Sequence, residues 1–299
     1  MIHGFLKACT VSPALRVADC AFNTQQTIAA MQRAAADGVQ LAVFPELGLT
    51  GYTCGDLFFQ QPLQRAAARG LAAVLEASAD LDLVALVGLP VTVDGKLYNC
   101  AAVVCHGKLL GLVPKTYLPN YGEFYERRQF NPAPAGVRTL HFAGQEVPFG
   151  TQLLFRCAEM PEFCLGVEVC EDLWAPLPPS THHALAGATV IANLSASDET
   201  IGKADYRRAL VSQQSARLLC AYLYADAGHG ESTTDMVFAA HDLICENGTL
   251  LSEAKPFGAG YACTELDLGR MVSERCRSTT FRLENTGYAA VAFHLPLKE

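Results

Sequence analysis

The feature that most constrains the fold is a set of short, mostly apolar segments that alternate with longer amphipathic ones. The clearest apolar segments are residues 39–44, 163–169, 189–194 and 220–225. Segments of this length and composition are typical of strands in a sheet that is covered on both faces. Other segments, such as residues 22–37, place apolar side chains at helical spacing. The alternation predicts an α/β fold whose helices cover the sheet.

Several predicted strands follow one another without a helix between them. Residues 83–93, 97–105 and 109–113 form such a series, and Asp94-Gly95 and Asn247-Gly248 are typical hairpin turns. The sheet is therefore mixed rather than purely parallel. One open sheet of so many strands would be unusually wide, so we expect two mixed sheets packed face to face, with helices outside. The remaining predicted elements are helices over residues 57–78 and 203–219 and a last strand over residues 261–268.

The composition favours one large folded unit and a small substrate. Of the 299 residues, 51% are hydrophobic and 17% are charged, which provides enough apolar material for a sizeable core. No linker-like break in composition divides the chain, so we expect residues 1–299 to form a single domain. The net charge of −8 and the isolated pairs Arg127-Arg128 and Arg207-Arg208 do not favour a nucleic-acid partner. A small polar substrate is the better hypothesis.

The twelve cysteines are scattered through apolar segments, and no C-x-x-C pair occurs. In a chain of this length that spacing favours reduced thiols over a disulfide framework, and it offers no ligand set for zinc. The N-terminal residues lack a basic region followed by a long apolar core, so no signal peptide is predicted. No apolar run reaches the ~18 residues needed to span a bilayer. We therefore expect a cytoplasmic protein with no metal and no membrane partner.

Three reactive side chains directly follow predicted strands: Glu46, Lys115 and Cys170. Strand ends of an α/β fold converge at one edge of the sheet. A carboxylate there can accept the thiol proton, and an ammonium can stabilise a developing oxyanion and depress the thiol pKa. The set suits acyl transfer through a thioester, which water activated by the same carboxylate would release. Taken alone, Cys170 is also consistent with an ordinary buried cysteine, since free cysteine packs as a small hydrophobe.

The motifs around these residues resemble those of the nitrilase, or carbon–nitrogen hydrolase, superfamily. The matching pieces are Phe44-Pro45-Glu46-Leu47, Pro114-Lys115 and Cys170-Glu171-Asp172-Leu173-Trp174. The resemblance implies a four-layer α-β-β-α sandwich and a catalytic triad of Glu46, Lys115 and Cys170. It also implies that Glu123, in the segment after the lysine, is a second glutamate that helps to position the lysine and the substrate.

A closer resemblance is to the N-terminal glutaminase domain of glutamine-dependent NAD synthetases. Residues 49–58, 115–130 and 193–197 are similar to segments of that domain, and the similarity extends over nearly the whole chain. It implies that the glutamate of the triad is the general base, the lysine the oxyanion partner and the cysteine the nucleophile.

The same resemblance implies that Tyr121, Glu171 and Ser197 bind glutamine. There is a physical rationale for two of them. The α-ammonium of an amino acid needs an acceptor, which Glu171 supplies, and its carboxylate needs donors, one of which is the Ser197 hydroxyl.

Full members of that family continue into a second domain with a Ser-Gly-Gly phosphate-binding loop, and no such tripeptide occurs in this sequence. We therefore expect the C-terminal synthetase domain to be absent from this chain, with ATP and Mg bound only there and no cofactor in this domain. The implied role is hydrolysis of glutamine to glutamate and ammonia for amidation of deamido-NAD to NAD in the full-length enzyme. The implied partners are glutamine, the synthetase domain and further copies of the chain in a homo-oligomer.

Two other hypotheses stay open on the sequence. A stand-alone amidase or nitrilase acting on another small amide would use the same three residues. A nitrilase-fold module that binds partners without catalysis would need none of them, and all three are present.

Overall fold

Two mixed β-sheets form the centre of the molecule in the computed structural model, which describes residues 4–284 and 287–296. Residues 1–3, part of the stretch for which no signal peptide is predicted, lie outside the described residues. None of the helices within the described ranges is long and apolar enough to cross a bilayer.

The first sheet has eight strands among the described residues, in the spatial order β14-β1-β2-β3-β4-β5-β7-β6. Its strands are β1 (Phe5–Val11), β2 (Leu41–Val43), β3 (Val84–Val93), β4 (Lys96–Cys105), β5 (Lys108–Pro114), β6 (Arg138–Phe142), β7 (Gln145–Phe149) and β14 (Tyr261–Asp267).

The second sheet has seven strands in the same described ranges, in the order β13-β12-β11-β10-β9-β8-β15. Its strands are β8 (Leu153–Cys157), β9 (Cys164–Val169), β10 (Val190–Leu194), β11 (Ala221–Ala225), β12 (Leu243–Glu246), β13 (Thr249–Glu253) and β15 (Ala289–Phe293). The helices are α1 (Cys20–Ala36), α2 (Gln61–Ala77), α3 (Glu171–Trp174), α4 (Pro179–Leu185), α5 (Lys203–Leu218) and α6 (Leu268–Arg277).

Three apolar layers separate four layers of secondary structure. Helices α1 and α2 pack on the outer face of the first sheet, the two sheets pack on each other, and α4 and α5 cover the second sheet. Within β3, Leu86 faces the layer between the sheets, whereas Val87 faces the helices. This two-residue alternation explains why the strands contain apolar residues on both faces. The predicted four-layer α-β-β-α sandwich is confirmed.

The helix predicted over residues 57–78 is divided in two. A 3₁₀ segment covers Tyr52–Phe59, and α2 starts only at Gln61. Gln60 between them has extended backbone angles (φ −81°, ψ 120°), and Pro62 stands in the first turn of α2. Proline is well tolerated there because the first helical N–H groups have no partner within the helix. The tail beyond β14 also contains regular structure that the apolar pattern did not predict, namely α6 and β15.

A close contact between β3 and the turn after β2 positions Glu46. A Cβ atom on Gly88 would lie 2.3 Å from the Leu47 nitrogen and 2.7 Å from the Pro45 oxygen. The Leu49 amide also donates to the Gly88 carbonyl, at 3.1 Å. Only glycine allows the turn to approach β3 so closely.

Gly88→Ala is therefore expected to destabilise the protein by about 3 kcal/mol, since backbone atoms must move to admit the methyl group. The measurement is the free energy of unfolding in urea. Gly95→Ala is the control, because Gly95 lies in a hairpin turn at φ 72° with open space around its Cα. That substitution should cost only the left-handed backbone penalty of about 1–2 kcal/mol. Equal losses in the two variants would contradict the close contact.

Candidate active site

The Lys115 ammonium is buried at the end of β5 and lies between two carboxylates. Its Nζ is 2.6 Å from Glu46 Oε1 and 2.6 Å from Glu126 Oε1. Burial alone lowers the pKa of Lys115, but Glu126 and Glu46 outweigh it and hold that pKa well above its ordinary value. The lysine therefore stays protonated, and the two carboxylates compensate its buried charge.

Glu46 has one occupied and one free carboxylate oxygen. Oε1 accepts hydrogen bonds from Lys115 Nζ and from Asn99 Nδ2, the latter at 2.5 Å. Oε2 is buried without a hydrogen-bond partner among the described residues. Burial raises the pKa of Glu46 to about 7, with Lys115 opposing the rise and Glu126 adding to it. One lysine neutralises only one of two carboxylates, so Glu46 is suited to accept a proton near neutral pH.

Cys170 lies in a sharp turn between β9 and α3. Its φ of 46° is in the left-handed region, which a residue with a side chain rarely adopts. Its N–H donates to the Leu194 carbonyl at 3.0 Å and to Asn193 Oδ1 at 2.9 Å, which holds the turn in place. The thiol is buried, and Glu46 and Lys115 are close enough for their charges to affect its ionisation. The structure thus brings the three predicted strand-end residues together.

The thiol pKa differs from the sequence-based expectation. Lys115 does act to lower it, but burial and the Glu46 charge dominate and raise the pKa of Cys170 well above its ordinary value. Because desolvation of a thiolate outweighs one nearby cation, this environment favours the protonated thiol at Cys170. Glu46 Oε2, which has no hydrogen-bond partner among the described residues, is a free acceptor in the same buried cluster.

The second glutamate is Glu126, and the prediction of Glu123 for that position is wrong. Glu123 is exposed on the wall of a surface cavity. Glu126 is buried, bonded to Lys115, and also receives a hydrogen bond from the Tyr52 hydroxyl at 2.8 Å. The reason is local: the Glu126 amide donates to the Pro119 carbonyl at 3.1 Å, which folds the segment back and turns this side chain inward.

The predicted substrate-binding residues form two groups. The Tyr121 hydroxyl donates to Glu171 Oε1 at 2.8 Å, and Tyr121 is 60% exposed. Ser197 is buried, and its hydroxyl accepts a hydrogen bond from Arg207 Nη2 at 3.0 Å. Tyr121 and Glu171 therefore form a hydrogen-bonded pair, whereas Ser197 belongs to a separate, buried polar cluster with Arg207 and Asp226.

Asp172 connects the lysine segment with the cysteine turn. Its carboxylate accepts hydrogen bonds from the backbone amides of Thr116 at 3.1 Å, Tyr117 at 2.8 Å and Val169 at 3.0 Å. Three amide donors to one buried carboxylate hold the two segments in a defined relation.

A cavity of about 210 Å³ opens beside the buried ion cluster. Tyr52, Phe58, Phe124 and Asp235 contribute to its walls, and it reaches the cluster through Glu126. Cys170 and Lys115 are not among the residues that line it. Within the described ranges, no three His, Cys, Asp or Glu side chains gather in a way that could hold a metal ion.

Two positioning side chains were missed by the sequence reasoning. Asn99 and Asn193 lie within otherwise apolar strands, β4 and β10, where a buried amide must find partners. That isolated polarity was the available signal. The sequence could not show where these two side chains point, because their direction depends on how the two sheets are paired.

A family model described as carbon-nitrogen hydrolase matches residues 8–275. The chain belongs to the carbon–nitrogen hydrolase family. The resemblance to glutamine-dependent NAD synthetases is confirmed as well. The chain is 44% identical over 281 residues to a glutamine-dependent NAD(+) synthetase of Mycobacterium tuberculosis, covering 93% of this chain and 41% of the relative.

Solved structures agree with this assignment. A glutamine-dependent NAD(+) synthetase from Cytophaga hutchinsonii matches with a TM-score of 0.78 and 27% identity, covering 87% of this chain and 42% of that one. An amidase from Nesterenkonia matches with a TM-score of 0.69 over 93% of this chain and 97% of its own, and at 19% identity it shows the fold alone. The chain thus spans about two fifths of the length of the NAD(+) synthetases it matches.

The rate at which Cys170 is alkylated should depend on pH. If Glu46 accepts the thiol proton, alkylation of Cys170 by iodoacetamide should accelerate as the pH rises through about 7, where Glu46 loses its proton. Asn99→Leu removes a donor that lowers the Glu46 pKa, so the transition should move up by about one pH unit. Peptide mass spectrometry at each pH gives the rate. A Glu46→Gln variant that keeps the same transition would contradict the role of Glu46.

The second prediction separates the two glutamates of the lysine segment. Glu126→Gln removes a negative charge that raises the Glu46 pKa, so the same transition should move down by about one pH unit. The matched control is Glu123→Gln, an exposed position that should leave the transition unchanged. If the pH transition moves as far in Glu123→Gln as in Glu126→Gln, the assignment of Glu126 as the glutamate that affects Glu46 is contradicted.

Proposed function

We propose that this chain hydrolyses the side-chain amide of glutamine to glutamate and ammonia through a thioester on Cys170. The observation that carries the proposal is the free Oε2 of Glu46 in a buried ion cluster beside the cysteine. The identity of the amide is supported by 44% identity, over 93% of this chain, to a protein named for its use of glutamine.

In the first half-reaction, the Cys170 proton moves to Glu46 Oε2 as the sulfur attacks the amide carbon. Negative charge develops on the amide oxygen, and the Lys115 ammonium stabilises it. The tetrahedral adduct collapses when its C–N bond breaks, and the proton on Glu46 passes to the departing nitrogen. The products of this step are ammonia and a thioester.

In the second half-reaction, water attacks the thioester carbon and gives one proton to Glu46. Collapse of the second adduct breaks the C–S bond, and the proton returns to the sulfur. Glutamate leaves and the thiol is restored. The high thiol pKa fits this route, because a protonated resting cysteine requires Glu46 in both steps.

The amino-acid end of glutamine needs complementary charges. In this proposal the Glu171 carboxylate, which accepts a hydrogen bond from the Tyr121 hydroxyl, is the acceptor for the α-ammonium. The Ser197 hydroxyl is the donor for the α-carboxylate.

In the larger protein, the ammonia would serve ATP-dependent amidation of deamido-NAD to NAD in a synthetase domain, where ATP and Mg would bind. This role is supported by relatives in which the matched region is about two fifths of the chain. Twelve unpaired cysteines favour a reducing compartment such as the cytoplasm, and assembly into a homo-oligomer is part of the same proposal.

The test is covalent capture by the glutamine analogue 6-diazo-5-oxo-norleucine, followed by intact mass measurement. The wild-type protein should gain one adduct, and Cys170→Ala should gain none. Cys276→Ala is the matched control, because Cys276 is an exposed cysteine, and it should be labelled like the wild type. An adduct that persists in Cys170→Ala would sink the assignment of the nucleophile.

The substrate class is tested by ammonia release from glutamine, acetamide and propionamide. We expect glutamine to have the highest kcat/KM. Turnover of the simple amides without turnover of glutamine would instead identify a general amidase.

A further inference from the structure

Arg207 is a buried cation that the proposed chemistry does not use. It lies in α5 with no exposed surface. Its Nη2 donates to Ser197 Oγ at 3.0 Å and to the Asp198 carbonyl at 3.0 Å. Its Nη1 donates to Glu199 Oε2 at 3.0 Å and lies 2.8 Å from His241 Nδ1. One guanidinium therefore contacts three consecutive residues of the segment that follows β10.

This segment lies directly beside the nucleophile. The Cys170 amide donates to the Leu194 carbonyl at 3.0 Å, and the Glu46 amide donates to the Ser195 carbonyl at 3.2 Å. Two residues further along the segment is Ser197, whose own amide donates to Asp226 Oδ1 at 2.8 Å. Ser197 is consequently fixed through its backbone by Asp226 and through its side chain by Arg207.

The direction of the Ser197 hydroxyl hydrogen follows from the chemistry of its partner. A hydroxyl has one hydrogen to donate and two lone pairs, whereas a guanidinium can only donate. Arg207 therefore occupies a lone pair of Ser197 Oγ and forces the hydroxyl hydrogen to point elsewhere. The Ser197 hydroxyl can therefore still donate its hydrogen to a ligand, and a carboxylate ligand requires such a donor.

Arg207 does not act as a free positive charge. The acidic groups that face it are Glu199 at 3.0 Å and Asp226, whose Oδ2 is 4.0 Å from Nη1. These carboxylates offset the guanidinium charge, so long-range attraction of an anion is small. Its influence passes through the Ser197 hydroxyl, by orientation and by polarisation of the O–H bond.

We propose that Arg207 is a positioning residue that aims the Ser197 hydroxyl at the substrate α-carboxylate and so selects for α-amino-acid amides. The inference rests on the proposed function. It assigns Arg207 to recognition of the amino-acid end of the substrate and not to the reaction at Cys170.

The test compares L-glutamine with 4-aminobutanamide, which has the same amide and ammonium but no α-carboxylate. Arg207→Met should lower kcat/KM for glutamine by about 10- to 100-fold, mainly through KM, as expected when a charge-assisted hydrogen bond is lost. The value for 4-aminobutanamide should stay within about two-fold of the wild type. A purely structural role would lower both values equally, and that result would overturn the proposal.

A double-mutant cycle with Ser197→Ala uses glutamine alone. If Arg207 acts through Ser197, the double variant should be no worse than the poorer single variant. Losses that multiply would overturn the proposal. Arg207→Lys keeps the charge without the two-pronged geometry, and should show the same selective loss if Arg207→Met does not fold.

These measurements separate a failure of the proposed glutamine hydrolysis from a failure of the role assigned to Arg207. A wild-type protein that does not prefer glutamine to 4-aminobutanamide would remove the proposed function and this inference together. A wild type that prefers glutamine, combined with equal losses for both amides in Arg207→Met, would remove only the role of Arg207.

Discussion

A single buried ammonium, that of Lys115, is the interaction on which the rest of the site depends. Removing a lysine from water costs several kcal/mol unless carboxylates replace the water, and here Glu46 and Glu126 both lie 2.6 Å from Nζ. The lysine thereby joins the turn after β2, the end of β5 and the segment before residue 130. Burial raises the pKa of Glu46, the Lys115 cation opposes that rise, and the Glu126 charge adds to it. The ion pair that compensates the buried lysine therefore limits the rise in the Glu46 pKa that burial causes.

Cys170 is held by a different feature, a strained turn that is fixed from several sides. Cys170 has a positive φ, and its amide is bonded to the end of the neighbouring strand β10 and to Asn193. The Asp172 carboxylate then ties this turn to the lysine segment through three amides. The Glu46 amide donates to the Ser195 carbonyl at 3.2 Å, which links the edges of the two sheets. Hydrogen bonds among strand ends and the turns that follow them hold Glu46, Lys115 and Cys170 in their relative positions.

Much of the architecture was predictable because strands covered on both faces leave a strong compositional trace. The α/β class, the paired mixed sheets and the strand-end placement of Glu46, Lys115 and Cys170 all followed from apolar segments and the residues after them. The prediction of Glu123 failed because the segment after Lys115 is dense in charge, and its sequence does not say which carboxylate the chain turns inward. The helix predicted over residues 57–78 is interrupted at Gln60, whose backbone is extended just before the first turn of α2, where Pro62 lies.

The sequence by itself determined the layers and the identity of the reactive groups, since hydrophobic periodicity and residue chemistry are local properties. Only the tertiary structure decided how those groups are charged and aimed. Burial, more than the neighbouring lysine, governs the direction of the Cys170 pKa shift, and the Arg207 guanidinium, ten residues along the chain from Ser197, donates to the Ser197 hydroxyl. Desolvation and hydrogen-bond direction depend on what surrounds a side chain in space, and the order of residues along the chain does not contain that information in readable form.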